Sequence, residues 1–289
     1  MKRWLYLSYG VAAYLMFLAV YGYLALFFAN WLLPHTIDAP SGTPLAAAVT
    51  INLLLVAAFG LQHSVMARPA FKKQWTRAVP QPIERSTYLV LANLVTLLLV
   101  WQWRPIDAIV WDVQQPTARA ALWGLFVAGW LAVPAVTLLI NHFDLFGLRQ
   151  VWLYYQGKPY TALPFRTPLA YARVRHPLYL GWALAFWATP TMSVGHLLLA
   201  GSLTAYMILA AIIEERDLVA HFGRPYREYR QRVPMFVPSL RRIEPIAGEP
   251  AEFVVNLAPD SPARVPAQEG TKHELPTVHA RRRSDLTIG

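Results

Sequence analysis

From Leu178 to Ile213 the sequence holds no Asp, Glu, Lys or Arg, and charge brackets it on both sides: Arg173, Arg175 and His176 before, Glu214-Glu215-Arg216-Asp217 after. About twenty helical residues cross the hydrocarbon core of a bilayer, so this run is long enough for two passes. Its middle, Ala188-Thr189-Pro190-Thr191-Met192-Ser193-Val194-Gly195, gathers proline, glycine and small polar residues that interrupt a helix. The run therefore reads as a hairpin of two membrane-inserted arms. The first arm is short, which suits a half-span packed against protein rather than lipid.

Four further apolar runs precede it: Leu5 to Leu33, Leu45 to Leu61, Tyr88 to Trp103 and Ala120 to Ile140. With 56% hydrophobic and only 15% charged residues, the composition lies outside the soluble globular range. The chain is expected to be an all-α integral membrane protein, a bundle of about five to six transmembrane helices whose last two form the hairpin. The run behind Lys2-Arg3 is too long for the apolar core of a signal peptide and reads as a retained first span.

Basic residues orient the spans. One set of loops carries Lys2 and Arg3, then Arg68, Lys72, Lys73, Arg77 and Arg85, then Arg149, Lys158, Arg166, Arg173 and Arg175, then seven arginines between 216 and 242. On the other side, the segment from Pro34 to Pro44 has no Lys or Arg, and the one after Trp103 has only Arg104 and Arg119. The positive-inside rule puts both termini and the 141–177 loop in the cytoplasm. The net charge of +10 is thus a matter of topology, with no aromatic-interleaved basic patch to suggest nucleic acid. With no cysteine, disulfides, thiolate metal ligands and a cysteine nucleophile are excluded.

After Ile213 the helix continues with Glu215, Leu218, Val219 and Phe222 on one face. Gly223 ends it, and Pro225 opens a short amphipathic helix with Tyr226, Tyr229 and Val233 on one side. This helix is expected to cap the hairpin on the cytoplasmic surface. Residues 244–289 are rich in Pro and Glu without periodicity, and a disordered tail is expected there, leaving 1–243 as the membrane-embedded domain.

The chemistry-bearing stretch is Arg175-His176-Pro177-Leu178-Tyr179-Leu180-Gly181. Proline lacks an N–H and fixes φ, which suits the first position of a helix and biases His176 towards extended backbone. The amides of Leu178, Tyr179 and Leu180 would then be orphan donors at the positive end of a helix dipole, a place for a carboxylate. Gly181 leaves room for close approach of a backbone or ligand. Glu214 and Glu215, at the far end of the hairpin, return to the same place and would meet a cation or an amine.

A second cluster, Asn141-His142-Phe143-Asp144 with Arg149, falls on the same side. Each cluster also has a structural reading: an interfacial histidine with satisfied ring nitrogens, an aromatic belt, a solvated Glu-Glu helix end. Their convergence at one mouth of one small bundle favours a site.

The series Arg-His-Pro-Leu-Tyr-Leu-Gly at 175–181, Glu214-Glu215 with Leu218, Phe222-Gly223, Tyr226, Tyr229, Val233-Pro234 and Pro238 resembles the membrane methyltransferases typified by isoprenylcysteine carboxyl methyltransferase. Within that superfamily, Ile140 to Val151 and Ala185 to Met192 are similar to the bacterial methanethiol S-methyltransferases, which make dimethyl sulfide, and the general pattern is shared with the NnrU group. The resemblance covers about residues 1–240, with the donor-binding motif within 173–238. It implies S-adenosylmethionine as methyl donor, a small thiol acceptor and the bacterial inner membrane. Carried onto this chain, it makes Arg175 and Gly181 part of the cofactor site, gives His176 with the amides near Tyr179 and Leu180 the methionine carboxylate, and gives Glu214 and Glu215 the amino group or ribose hydroxyls. Tyr226 and Tyr229 would close over it.

Transfer of a methyl group from a sulfonium to a thiolate consumes charge, so a dry apolar pocket helps, and aromatic faces hold onium cations. A small thiol is mostly protonated at neutral pH, while the thiolate is the nucleophile. His142 is the candidate base, Asp144 its orienting partner and Arg149 a stabiliser of the thiolate. Selectivity for so small an acceptor must come from a pocket too small for larger thiols. Competing readings keep the cofactor and change the acceptor to another small thiol, hydrogen sulfide, a prenylated cysteine carboxyl or a phospholipid amine. A different class of reading is a non-enzymatic, NnrU-like or haem-linked membrane protein using His63, His142 and His196, whose positions do not suit one shared site. No spacing suggests a metal, and the oligomeric state is not encoded in any motif.

Overall fold

The structure, a computed structural model, describes residues 1–161 and 167–240. The expected tail at 244–289 and the loop charge at Arg166 lie outside the described residues.

Helix α1 runs Lys2–Ala29 and α2 Leu45–Ala67, followed by the short α3, Pro69–Trp75. A 3-10 turn at Gln81–Ile83 leads into α4, Glu84–Gln102. A strand, β1 at Ile109–Asp112, precedes α5 at Pro116–Ile140. Two short helices come next, α6 at His142–Leu145 and α7 at Leu148–Tyr155. Helix α8 occupies Pro177–Trp187, β2 Thr191–Ser193, α9 Val194–Phe222 and α10 Arg224–Arg232.

Among the described residues, five helical segments are long and apolar enough to cross a membrane: Lys2–Ala29, Leu45–Ala67, Gln81–Gln102, Pro116–Ile140 and Val194–Ala220. The chain is therefore a multi-pass, all-α membrane protein apart from one small ribbon. Helix α8, with 11 residues, rises about 16 Å at 1.5 Å per residue, half the hydrocarbon thickness. The expected half-span is thus present, and it is buried against α5. There Gly129 is the point of closest approach: a Cβ on it would lie 2.5 Å from the amide nitrogen of Ala185 and 2.9 Å from Leu184. Small residues let two helix backbones meet where lipid gives no hydrophobic drive. Gly181 serves the same seam, since its missing Cβ faces Ala132 and Val133 of α5. Packing, not a ligand, occupies the space that residue leaves.

The break between the hairpin arms is built more firmly than the sequence suggests. Strand β2 pairs antiparallel with β1, Asp112 opposite Thr191 and Trp111 opposite Met192. Ser193 caps α9 by accepting the amide of His196 at 3.0 Å, and its hydroxyl also donates to Asp38. His196 itself is fully buried, its Nε2–H donating to the carbonyl of Phe186 at 2.8 Å.

Helix α4 packs against α1 and α2, α9 against α2, and α7 against α1. This arrangement gathers the start of α1, the end of α2, and α3, α6, α7 and α10 at one end of the bundle, with the ribbon at the other. Large apolar side chains such as Leu54, Trp101, Leu131 and Leu209 are left on the outer surface, where a bilayer would cover them.

Candidate active site

The first cluster forms where the Arg173–His176 segment runs alongside Pro234–Ser239. The amides of Arg175 and His176 donate to the carbonyls of Pro234 (2.9 Å) and Met235 (3.2 Å), and Ser239 donates back to Arg173 (2.9 Å). Helix α9 continues past its apolar stretch and delivers Glu214 and Glu215 beneath this strap. Arg175 grips Glu215 with two points, Nε to Oε1 at 2.6 Å and Nη2 to Oε2 at 3.2 Å. Its Nη1 donates to the carbonyls of Arg230 (2.7 Å) and Val233 (2.5 Å). His176 Nε2 lies 3.1 Å from the same Glu215 oxygen. A carboxylate only accepts, so Nε2 carries the hydrogen.

The two glutamates differ. Glu215 is buried and fully paired, whereas Glu214 is half-exposed, 51% by its side chain. Among the described residues its one side-chain hydrogen bond is a long one from the Tyr179 hydroxyl, 3.3 Å, and His176 Nδ1 stands 4.0 Å away. Among the described residues no Arg or Lys pairs with it. Around it the His176 and Tyr179 rings stack at 5.2 Å with 11° between planes, and Phe236 lies 5.7 Å from His176.

Two expectations change here. The amides of Tyr179 and Leu180 are not free for a carboxylate, because both point to the His176 carbonyl, at 3.1 and 3.4 Å. A helix that begins with its own cap carbonyl spends those donors at once. Tyr226 and Tyr229 are buried, 3% and 5% exposed, packing with Val233 onto Leu218, Val219 and Phe222. The Tyr229 hydroxyl donates to the Tyr171 carbonyl at 2.7 Å, so α10 clamps the strap. Burial pushes all three phenols, Tyr171 included, up from the ordinary tyrosine value. Sequence reasoning missed Phe236 and Tyr171, which no motif marks.

The second cluster is divided differently from the expectation. Asp144 does not pair with His142. It is held by Arg85 (2.8 Å), Arg149 (3.0 Å) and the Tyr160 hydroxyl (3.2 Å), and Arg85 also reaches its carbonyl at 2.7 Å. Arg149 spends its other donors on Thr161. Gly147 makes the junction possible: its φ is +85°, and a Cβ there would lie 2.8 Å from Ser86 Oγ at the start of α4. A cavity of about 240 Å³ adjoins this network, lined by Glu84, Arg85, Gln150, Tyr154 and Tyr160 among others, with neither His142 nor His176 in its wall.

His142 instead sits among Tyr14, Phe143 and Phe146. Its Nε2 is 2.7 Å from the Tyr14 hydroxyl and its Nδ1 2.8 Å from Thr137 Oγ1. Thr137 donates its one hydrogen to the Pro134 carbonyl at 2.8 Å, so towards the ring it can only accept. Nδ1 therefore carries the hydrogen, and Nε2 offers a lone pair to Tyr14. Burial lowers the His142 pKa from the ordinary histidine value, which favours this neutral form at pH 7. His63 is engaged separately, with Tyr88 at 2.9 Å.

An aromatic file connects the clusters. Phe17 stacks on Phe146 at 4.1 Å and contacts Tyr21 at 5.8 Å; Tyr21 meets Trp130 at 5.2 Å and Trp182 at 5.8 Å. Trp182 is three residues along α8 from Tyr179, on the same side of the helix. Aromatic walls, a carboxylate with no Arg or Lys paired to it among the described residues and a neutral imidazole together suit a cationic ligand beside a small apolar one.

Comparison with known proteins adds to this geometry. Residues 51–242 match the family model described as NnrU protein. The chain is 52% identical to methanethiol S-methyltransferase of Mycobacterium tuberculosis, over 82% of this chain and 98% of that protein. It is 47% identical to methanethiol S-methyltransferase of Crocosphaera subtropica, over 82% and 93%. Against methanethiol S-methyltransferase 1 of Bradyrhizobium diazoefficiens it is 49% identical, over 81% and 82%. No solved structure matches the chain.

Proposed function

The chain belongs to the NnrU family and, within it, to the methanethiol S-methyltransferases, and on that premise we propose that it transfers a methyl group from S-adenosylmethionine to methanethiol, releasing dimethyl sulfide. Residues 1–243 carry this activity in the bacterial cytoplasmic membrane. The distribution of Lys and Arg among the loops supports placing both termini in the cytoplasm.

The observation that carries the cofactor reading is the inequality of the two glutamates. Glu215, tied to Arg175 and His176, holds the strap in place. Glu214, with no Arg or Lys paired to it among the described residues, is left to receive the ammonium group or ribose hydroxyls of the donor. Tyr179 and Phe236 offer faces to its cationic end, and His176 Nδ1 is the ring nitrogen still open to a ligand. When bound, S-adenosylmethionine supplies an electrophilic methyl group on a sulfonium.

The protein's own part is to bare the acceptor sulfur. The thiol proton passes to the Tyr14 oxygen as the Tyr14 proton moves to Nε2 of His142, whose lone pair already faces it at 2.7 Å. Thr137 fixes the ring so that Nε2 points to Tyr14. Asp144, paired with both Arg85 and Arg149, acts as the brace between α4, α6 and α7, positioning His142 through the backbone. The aromatic file excludes water, which would otherwise stabilise the thiolate more than the charge-dispersed transition state.

An acceptor screen tests the reading. Detergent-purified protein given S-adenosylmethionine and methanethiol is expected to release dimethyl sulfide into the headspace. Turnover confined to hydrogen sulfide, a prenylated cysteine or a phospholipid amine would overturn the acceptor. Turnover of none of these would overturn the methyltransferase reading itself.

A further inference from the structure

The cavity of about 240 Å³ beside the Asp144 network opens between α3, the Gln81–Ile83 turn, the start of α4 and the end of α7. Its deep wall is polar: Glu84, Arg85 and Gln150 are 5%, 8% and 8% exposed. Two acceptors there are unused. Gln150 donates from Nε2 to the Asp144 carbonyl at 3.2 Å, and its Oε1, on the other branch of the amide, has no partner among the described residues. The Glu84 carboxylate likewise meets no hydrogen-bond donor among them, and Lys72, buried on α3, acts on it only through the longer-range field. Buried acceptors are nearly always paired, and leaving a buried carboxylate without a donor costs more still.

Positive charge is in excess at the same place. One carboxylate, that of Asp144, faces two guanidiniums, those of Arg85 and Arg149. Arg85 spends Nη1 on Asp144 and keeps its Nε and Nη2 hydrogens free of other partners among the described residues. Lys158 adds an exposed ammonium at the rim. The wall thus calls for N–H donors at one end and an anion at the other. Size narrows the choice, because drug-sized ligands take pockets of about 300–1,000 Å³ and this one suits a small polar head. Tyr154 gives the level: it lines the cavity and stacks on Tyr6 at 5.2 Å. Beside that pair Trp4 meets Tyr155 at 4.6 Å, and Trp4 and Trp152 are 61% and 49% exposed. Tryptophans and tyrosines gathered in this way mark the headgroup level of a bilayer, here on the side the loop charges assign to the cytoplasm.

We propose that this cavity holds the head of an ethanolamine phospholipid of the cytoplasmic leaflet, its ammonium donating to Glu84 and Gln150 Oε1 and its phosphate accepting from Arg85 and Lys158. The proposal goes beyond the methyltransferase reading and does not rest on it. An N–H is required, since a choline head presents only methyl groups to the two acceptors. A glycerol head brings the anion but no ammonium to answer Glu84. The lipid is a brace and not a methyl acceptor, because neither His142 nor His176 is in the wall. It ties α4 to α7 through Arg85 and Gln150, the two wall residues that also hold Asp144.

Delipidated full-length protein in detergent is titrated with phosphatidylethanolamine, phosphatidylcholine and phosphatidylglycerol of one acyl composition, and bound lipid is counted by native mass spectrometry. A single phosphatidylethanolamine is expected to bind about tenfold tighter than either other lipid, the scale of one hydrogen bond between charged groups. Glu84→Gln should lose that preference. Lys158→Gln, at an exposed position, should fold as wild type and bind phosphatidylethanolamine several-fold more weakly, so the test decides even where Glu84→Gln does not fold. Equal binding of the three lipids, or a preference kept in folded Glu84→Gln, would overturn the proposal. So would wild-type affinity in Lys158→Gln. Phosphoethanolamine, the same head without chains, should displace the lipid only in large excess, and displacement at equal concentration would make the occupant a soluble metabolite and overturn the lipid assignment. Methanethiol turnover is read separately, so each of these outcomes leaves the methyltransferase reading where it stands.

Discussion

Arg175 and Glu215 form a two-point ion pair, 2.6 and 3.2 Å, with 9% and 7% of their side chains exposed. The pair joins the strap before α8 to the end of α9, and the guanidinium reaches on to two carbonyls of the α10 segment. Removing one partner of a buried pair leaves the other charge uncompensated, at about 3–5 kcal/mol. Arg175→Ala is therefore expected to lower the unfolding midpoint in detergent strongly. Arg175→Lys should recover only part, since an ammonium cannot reproduce the fork. A midpoint unchanged in Arg175→Ala would show that the strap is held by other contacts.

Asp144 should behave as a brace. It accepts from Arg85 and Arg149 in a buried setting, so Asp144→Ala is expected to cost about 3–5 kcal/mol of stability. The acid limb of the pH–rate profile should keep its midpoint in whatever protein remains folded. A displaced midpoint would mean that Asp144 tunes the base directly.

The His142 imidazole, lowered by burial, sets the sign of a pH effect. The unfolded chain, with its histidine near 6.5, takes up the proton before the folded one does. Stability therefore falls as the pH drops from about 7 through the folded value, and below that value the slope vanishes. Activity should fall over the same acidic range, with a midpoint below about 6.5, and His142→Asn should be inactive at every pH. A wild-type midpoint above 7 would point to another base.

Gly129→Ala places a methyl group 2.5 Å from the Ala185 nitrogen, against backbone that cannot step aside cheaply. A loss of about 1–3 kcal/mol is expected. Gly124→Ala, on the same helix with nothing within 4 Å, should be neutral or slightly stabilising. Equal midpoints for the two variants would contradict the close α5–α8 seam.

The spans were legible in the sequence because apolar length is set by bilayer thickness, and Pro190 and Gly195 marked the break in the hairpin. The convergence of Arg175, His176 and Glu215 was legible as well. Their division of labour was not, because two adjacent glutamates look alike until Arg175 is seen to choose one. His142 and Asp144 looked like partners through proximity alone. Asp144 turns instead to Arg85, a residue that read only as a loop charge, and His142 to Thr137 and Tyr14. The β1–β2 ribbon escaped notice because each strand is only a few residues long and neither alternates clearly.

The account turns on Glu214 as the carboxylate that meets the methyl donor, and calorimetry of S-adenosylmethionine binding to detergent-purified protein tests that most directly. Wild-type protein is expected to bind. Glu214→Gln, half-exposed and with no Arg or Lys paired to it among the described residues, should unfold within about 0.5 kcal/mol of wild type while losing about tenfold or more in affinity. Wild-type affinity in a folded Glu214→Gln protein, or no binding by well-folded wild type, would contradict the site.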